Sequence, residues 1–294
     1  MTQPTAFPAA ASPTGMVHLQ AEDGSQAIVS LLGGQVVSWH AADGRERLYL
    51  SPRALWDGSA SIRGGIPVCW PQFNRRGPLA KHGFARMCRW RVAAQGTGTA
   101  RLVLTQEDVT AHWLCDDAGE VVWNHPFRLE LDVVLQPGAL SVTLSVHNTG
   151  SASWAFTTAL HSYLAVQDLA ALRLQGADGV RYWDAVAGAD PAHPVQQGDI
   201  VFGQEVDRVY PAPAAWRLQE PAAVLDIHQS PSMTESVVWN PGPTLGAALA
   251  DLPPHGYAQF VCVEAAHIDD EITVPPGGCW QGGQVLSVAP SEEA

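Results

Sequence analysis

Two polar residues interrupt apolar segments of this chain. His161 lies in Phe156-Thr157-Thr158-Ala159-Leu160-His161-Ser162-Tyr163-Leu164, and Glu264 in Phe260-Val261-Cys262-Val263-Glu264-Ala265-Ala266-His267. A carboxylate at the end of an apolar strand needs a partner or an open pocket, because burying it alone is costly. Taken singly, each has a structural reading: a satisfied core histidine, or a strand-end carboxylate facing water. Together they supply an imidazole and a carboxylate, one acid and one base near neutral pH. Only the fold can unite residues so far apart in sequence. Glu264-x-x-His267 has the spacing of a helical metal pair, but residues three apart in a strand point to opposite faces, so no metal site is expected there.

Charge is the second signal. From Gly58 to Gln106 there is no Asp or Glu, while Arg63, Arg75, Arg76, Lys81, Arg86, Arg89, Arg91 and Arg101 all fall in that window. The chain as a whole has 16 basic and 29 acidic residues, a net charge of -13, so half of its positive charge is concentrated there. The window reads either as a solvated basic face or as a local site for an anionic ligand. Arginine suits the latter, because its planar fork grips phosphate through two hydrogen bonds. Lys81 is the only lysine, which leaves little room for lysine chemistry.

Other function classes are disfavoured. So acidic a chain is a poor binder of nucleic acid or anionic membrane, and no apolar run is long enough to span a bilayer. Five cysteines without a C-x-x-C pair point to reduced thiols and a cytoplasmic location. The chain has no P-loop, G-x-S-x-G elbow or H-E-x-x-H helix, and Gly96-Thr97-Gly98 lacks the third glycine of a dinucleotide fingerprint.

The elements that must position these residues read as strands. With 46% hydrophobic residues, 27 Gly and 22 Pro, the chain suits a turn-rich fold with a large core rather than a helical bundle. Alternation or short apolar runs predict strands over Val17–Glu22, within Gln26–His40 around Gly33-Gly34, and over Trp90–Ala94, Arg101–Gln106, Leu129–Leu135 and Leu140–His147. Gln136-Pro137-Gly138-Ala139 makes a hairpin of the last two. Further strands are expected over Trp154–Leu160, Val224–His228, Ser236–Trp239, Gln259–Glu264 and Val285–Val288, with one short helix over Thr244–Leu252. Gly188–Asp199 reads as a polar loop, a possible insertion. Short, turn-rich connections favour antiparallel pairing. The expectation is all-β: one large antiparallel β-sandwich with a few short helices, spanning 16–294 behind a flexible leader over 1–15.

Taken in order, several segments resemble the aldose 1-epimerase (galactose mutarotase-like) superfamily, and within it the hexose-6-phosphate mutarotases. They are Ser61-Ile62-Arg63-Gly64-Gly65-Ile66-Pro67-Val68-Cys69-Trp70-Pro71-Gln72-Phe73 and Lys81-His82-Gly83-Phe84-Ala85-Arg86, then Leu160-His161-Ser162-Tyr163-Leu164, Asp207-Arg208-Val209-Tyr210, Val238-Trp239-Asn240-Pro241 and Val263-Glu264. The match covers roughly residues 30 to 288, and R-G-G-I-P with H-G-F-A-R is its specific part. Gly242 departs from the family, which usually carries Trp after W-N-P.

The resemblance implies a "supersandwich" fold and an isomerase that interconverts the α and β anomers of a hexose 6-phosphate, glucose 6-phosphate first among them. It implies Glu264 as general base at O1 and His161 as general acid at the ring oxygen. His82 and Asp207 would hold ring hydroxyls, Arg63 and Arg86 would face the 6-phosphate, and Trp70, Gln72 and Phe73 are candidates for the pocket lining, with a core position the default for the two aromatics. No metal, nucleotide or other cofactor is implied, and the expected partner is a small hexose phosphate bound by a monomer. The alternatives are an epimerase acting on unphosphorylated aldoses, or a non-catalytic sugar-phosphate binding or regulatory protein on the same fold. A polysaccharide lyase or hydrolase fits least, for want of an export signal.

Overall fold

The structure, a computed structural model, describes residues 15–188, 193–212, 215–221 and 223–289. In chain order the strands are β1 (Met16–Gln20), β2 (Gln26–Ser30), β3 (Gln35–His40), β4 (Val68–Cys69), β5 (Arg91–Gln95) and β6 (Thr99–Thr105). Then come β7 (Phe127–Gln136), β8 (Ala139–Asn148), β9 (Trp154–Leu160), β10 (Tyr163–Ala165), β11 (Arg173–Gln175) and β12 (Trp183–Asp184). The last are β13 (Val206–Pro211), β14 (Trp216–Glu220), β15 (Ala223–Gln229), β16 (Glu235–Asn240), β17 (Phe260–Val274) and β18 (Cys279–Val288), with one α-helix, α1 (Gly242–Ala248), after β16.

The expected antiparallel β-sandwich forms, and β7 shows why. Its sequence Phe-Arg-Leu-Glu-Leu-Asp-Val-Val-Leu-Gln buries every second residue, the period-2 pattern of a strand with one face on a core. β7 and β8 pair from Phe127–Asn148 to Gln136–Ala139, closing on Pro137-Gly138 as read from sequence. They sit inside an eight-stranded sheet of order β11-β14-β15-β18-β8-β7-β6-β5. A seven-stranded sheet runs β12-β13-β16-β17-β9-β4, with β10 also on β17, and β1-β2-β3 form a third. One apolar core takes residues from all three, from Val17 to Leu286. A buried polar bridge also crosses between the two large sheets: Ser162 donates to Gln284 at 2.5 Å, and Gln284 donates to the Val263 carbonyl at 2.9 Å.

Several boundaries differ from the sequence reading. The helix covers Gly242–Ala248 rather than Thr244–Leu252: Pro243 is tolerated in its first turn, and Leu249 is already extended. β17 runs ten residues past Glu264, carrying Asp269, Asp270 and Glu271 at exposed positions beyond an irregularity after His267. β4 and β10 to β14 were not anticipated. Most are two to five residues long and too short to show a period. In β13, Asp207 and Arg208 hide the pattern. Within the loop read over Gly188–Asp199, residues 189–192 lie outside the described residues. Gln196 is buried there and accepts hydrogen bonds from Tyr210 Oη at 3.0 Å and Arg208 at 3.1 Å. Of the expected leader, residues 1–14 lie outside the described residues, and the Gly15 carbonyl accepts from Leu31.

The Arg63-Gly64-Gly65 motif is explained by close backbone approach. Gly65 has φ +61°, and a Cβ there would stand 2.1 Å from the Val36 carbonyl oxygen. We expect Gly65→Ala to cost about 2–5 kcal/mol, adding left-handed strain to overpacking. That should lower the melting temperature by on the order of 10 °C. Calorimetry of the variant checks this, and an unchanged transition would contradict the crossing of these segments.

Candidate active site

The register of β17 builds the site. Leu160 of β9 pairs with Ala265, and Tyr163 of β10 pairs with Cys262. Counting inward on both sides sets His161 opposite Glu264 across the two segments. Alternation along β17 then divides the two faces. Val261, Val263 and Ala265 enter the main core, whereas Phe260, Cys262, Glu264 and Ala266 face the other way. On that second face Glu264 lies between two small apolar clusters. One contains Cys69, Phe73, Val209 and Val237, and the other Tyr49, Tyr163, Phe260 and Cys262.

His161 Nδ1 stands 3.3 Å from Glu264 Oε1, and both residues are buried. The imidazole stacks on the Tyr163 ring, with centroids 4.8 Å apart and planes 7° from parallel, and meets Trp239 edge-on at 5.8 Å. The His82 ring lies 5.6 Å away, edge-on, and touches Phe73 at 4.8 Å. His82 is held in a left-handed conformation, φ +65°. Its Nδ1 accepts from the Asn74 amide at 3.2 Å, which leaves the proton on Nε2 as a donor. Gly83 follows because a Cβ there would stand 2.1 Å from the Trp70 carbonyl oxygen.

Asp207 joins the same face through the sheet: β13 pairs Asp207 with Trp239 of β16, and β16 pairs Trp239 with Cys262. Arg63 and Arg86 flank the floor. Arg63 donates to Tyr163 Oη at 2.9 Å and to Asp251 at 3.1 Å. Arg86 donates to the Lys81 carbonyl at 2.8 Å, and its Nε is buried without a partner.

One expectation is corrected here. Gln72 does not offer a free amide to a ligand. Its Nε2 donates to the Leu79 carbonyl at 2.9 Å, and its Oε1 accepts from the Leu79 amide at 2.9 Å, so it braces the loop that carries His82. Trp70 takes the core position that is the default for an aromatic there: it is fully buried among Phe84, Trp123, Phe127, Trp154 and Phe156. The acid-free window is likewise not one patch. Arg91 pairs with Asp108 and Arg101 with Asp132 on the eight-stranded sheet, and Arg76 reaches Asp269, so Arg63, Lys81 and Arg86 are the cations near the pair. Sequence reasoning also missed Cys262, Tyr163 and Trp239 as walls of the site. Cys262 and Tyr163 stand two residues from Glu264 and His161, and that spacing was the available signal; Trp239 comes in only through its pairing with Cys262. Gly242 is explained too: a Cβ there would lie 2.5 Å from the Glu205 amide nitrogen, so a larger residue has no room.

Burial dominates the electrostatics. It pushes the Glu264 carboxyl well above the usual range, the Asp207 charge adds to the rise, and Arg86 and Lys81 oppose it only in part. Burial pulls the His161 imidazole well below its usual value, and Arg86 and Arg63 push it further down. His82 is held neutral by burial and then by Arg86. Burial pushes Asp207 up to about 6. The His161–Glu264 pair therefore holds one proton over a wide range, either as acid and imidazole or as carboxylate and imidazolium.

Residues 15–287 match the aldose 1-epimerase family. The chain is 33% identical to a protein of Cenchrus ciliaris provisionally named a glucose-6-phosphate 1-epimerase, over 95% of this chain and 87% of that one. It is 32% identical to an Escherichia coli (strain K12) protein with the same provisional name, over 83% and 81% of the two chains. Among solved structures, a provisionally named mutarotase from Salmonella typhimurium is similar, with a TM-score of 0.79, 28% identity, and 93% and 90% of the two chains covered. The chain belongs to the aldose 1-epimerase family, and with it to the isomerases that act on small sugars.

Proposed function

We propose that this member of the aldose 1-epimerase family interconverts the α and β anomers of a hexose 6-phosphate, with Glu264 and His161 as its proton-transfer pair. The observation that carries the reading is the buried imidazole and carboxylate, 3.3 Å apart, beside the Arg86 guanidinium. Glu264 as carboxylate takes the proton from the anomeric O1–H. His161 as imidazolium gives its proton to the ring oxygen, and the ring opens to the aldehyde. Rotation about C1–C2 and closure with the protons returning give the other anomer. Ring opening leaves a carboxylic acid and a neutral imidazole, the states that burial favours. His82 Nε2–H and Asp207 hold ring hydroxyls, Gln72 positions His82, and Arg86 with Arg63 receives the phosphate.

One observation favours an unphosphorylated aldose instead: Asp251 and Tyr163 already occupy the Arg63 guanidinium. Against that stands Arg86, which faces the site with no carboxylate bonded to it among the described residues.

The pH profile tests the acid–base assignment. The Glu264 shift is upward and the His161 shift downward, so the one-proton state widens on both sides. The rate of anomer exchange should stay flat across the neutral range. It should fall in acid, when a second proton enters the pair, and in alkali, when the last one leaves. A narrow bell with limbs at ordinary glutamate and histidine values, measured by NMR exchange, would contradict the assignment.

A further inference from the structure

We propose that the floor of the site also binds a thiophilic divalent cation of the zinc class, through a ring nitrogen of His161, the Cys262 thiolate and a Glu264 carboxylate oxygen, and that occupation shuts the enzyme off. One ligand atom from each of these three buried residues lies within 4.8 Å of the others. A tetrahedral zinc site with nitrogen, oxygen and sulfur ligands at about 2.0–2.3 Å has ligand–ligand edges of roughly 3.3–3.8 Å. The His161–Glu264 edge is already 3.3 Å. The backbone sets this up: Cys262 and Glu264 are two apart on one face of β17, and His161 lies opposite Glu264.

A second observation points to a ligand. His161 Nδ1 and Glu264 Oε2 are both buried without a hydrogen-bond partner. Nδ1 faces Glu264 Oε1 at 3.3 Å without a hydrogen bond, so both side chains keep lone pairs for a ligand, a sugar oxygen in the reaction above or a metal ion. Charge favours a dication. A carboxylate, a thiolate and a neutral imidazole around a 2+ ion give a neutral cluster, which a buried site tolerates far better than an isolated charge. Binding to the thiol and the carboxylic acid releases two protons, and the fourth position is open to water. Arg86, Arg63 and Lys81 act on the same groups and oppose a cation, so affinity should fall below that of dedicated structural zinc sites. Inhibition follows because the ion takes the imidazole lone pair that would carry the proton and lowers the basicity of the coordinated carboxylate.

The test starts from a background in which exposed thiols are removed. Cys279 Sγ lies 3.8 Å from His147 Nε2, and Cys115 is partly exposed, so both are replaced (Cys115→Ser, Cys279→Ser). Cobalt(II) titrated into this protein should bind at one equivalent and give a thiolate-to-metal charge-transfer band. The band should be absent with Cys262→Ala or Cys262→Val. It reads metal binding directly, so its outcome is independent of whether the substrate assignment above holds. Zinc(II) should inhibit anomer exchange reversibly on chelation. Outer-shell partners of metal sites typically contribute 10–100-fold in affinity, so losing the Cys262 ligand should raise the inhibitory concentration by at least about 100-fold. If neither Cys262 variant folds, X-ray absorption of the zinc-loaded background protein decides, by the presence of one sulfur ligand. No thiolate band, no sulfur in the absorption spectrum, or inhibition unchanged in a folded Cys262 variant would overturn the proposal.

Discussion

Glu264→Gln is expected to lower anomer exchange by about 10²–10⁴-fold, the range a positioned proton-transfer group contributes, while making the protein more stable. The substitution keeps the side chain's shape and removes its proton chemistry. The stability gain follows from linkage. The Glu264 carboxyl is pushed well above its unfolded value by burial, so its stabilising contribution is complete below the unfolded value and is lost as pH rises through the folded one. A neutral amide escapes that loss. The melting temperature of the variant should therefore exceed wild type at pH 8, with the gap closing toward pH 4. Lost activity with a lowered melting temperature would mean that Glu264 is structural, and unchanged exchange would remove it from the reaction.

Arg86→Ala is expected to weaken the handling of glucose 6-phosphate selectively. The protein carries a net charge of -13, so a phosphate dianion must be held by a local feature. A charge-assisted hydrogen bond is worth roughly 1.5–3 kcal/mol, which corresponds to a loss of about 10- to 150-fold in kcat/KM. Exchange of free glucose should fall much less, because it lacks the group that Arg86 receives. Arg63→Ala should be less selective, because Asp251 and Tyr163 already engage that guanidinium and its loss disturbs the Tyr163 stack under His161. Inorganic phosphate should compete with glucose 6-phosphate in wild type and compete less in Arg86→Ala. Equal losses on both sugars would make Arg86 a structural cation.

The fold was legible where one face of a strand meets the core. β7 and β8 alternate cleanly and are joined by Pro137-Gly138, so their residues, their turn and their pairing could be read directly. β13 could not: Asp207 and Arg208, side by side and both only half-buried, break its alternation. β17 looked shorter than it is because Asp269, Asp270 and Glu271 continue the strand into solvent. His161 and Glu264 were visible as polar interruptions, but their opposition depends on the register between segments about a hundred residues apart, which local pattern does not encode. The role of Gln72 was hidden for a related reason: its partner is backbone, the Leu79 amide and carbonyl, and any sequence in that loop offers the same atoms. The basic window misled in part, since Arg91 and Arg101 take their acids, Asp108 and Asp132, from outside it.

The most direct test of the central claim is two-dimensional NMR exchange between the α and β anomers of glucose 6-phosphate, with free glucose and galactose measured alongside, at catalytic protein concentration. The expected result is strong acceleration for glucose 6-phosphate and a much weaker effect on the free sugars. No acceleration on any of the three, or a preference for free galactose or glucose, would contradict it.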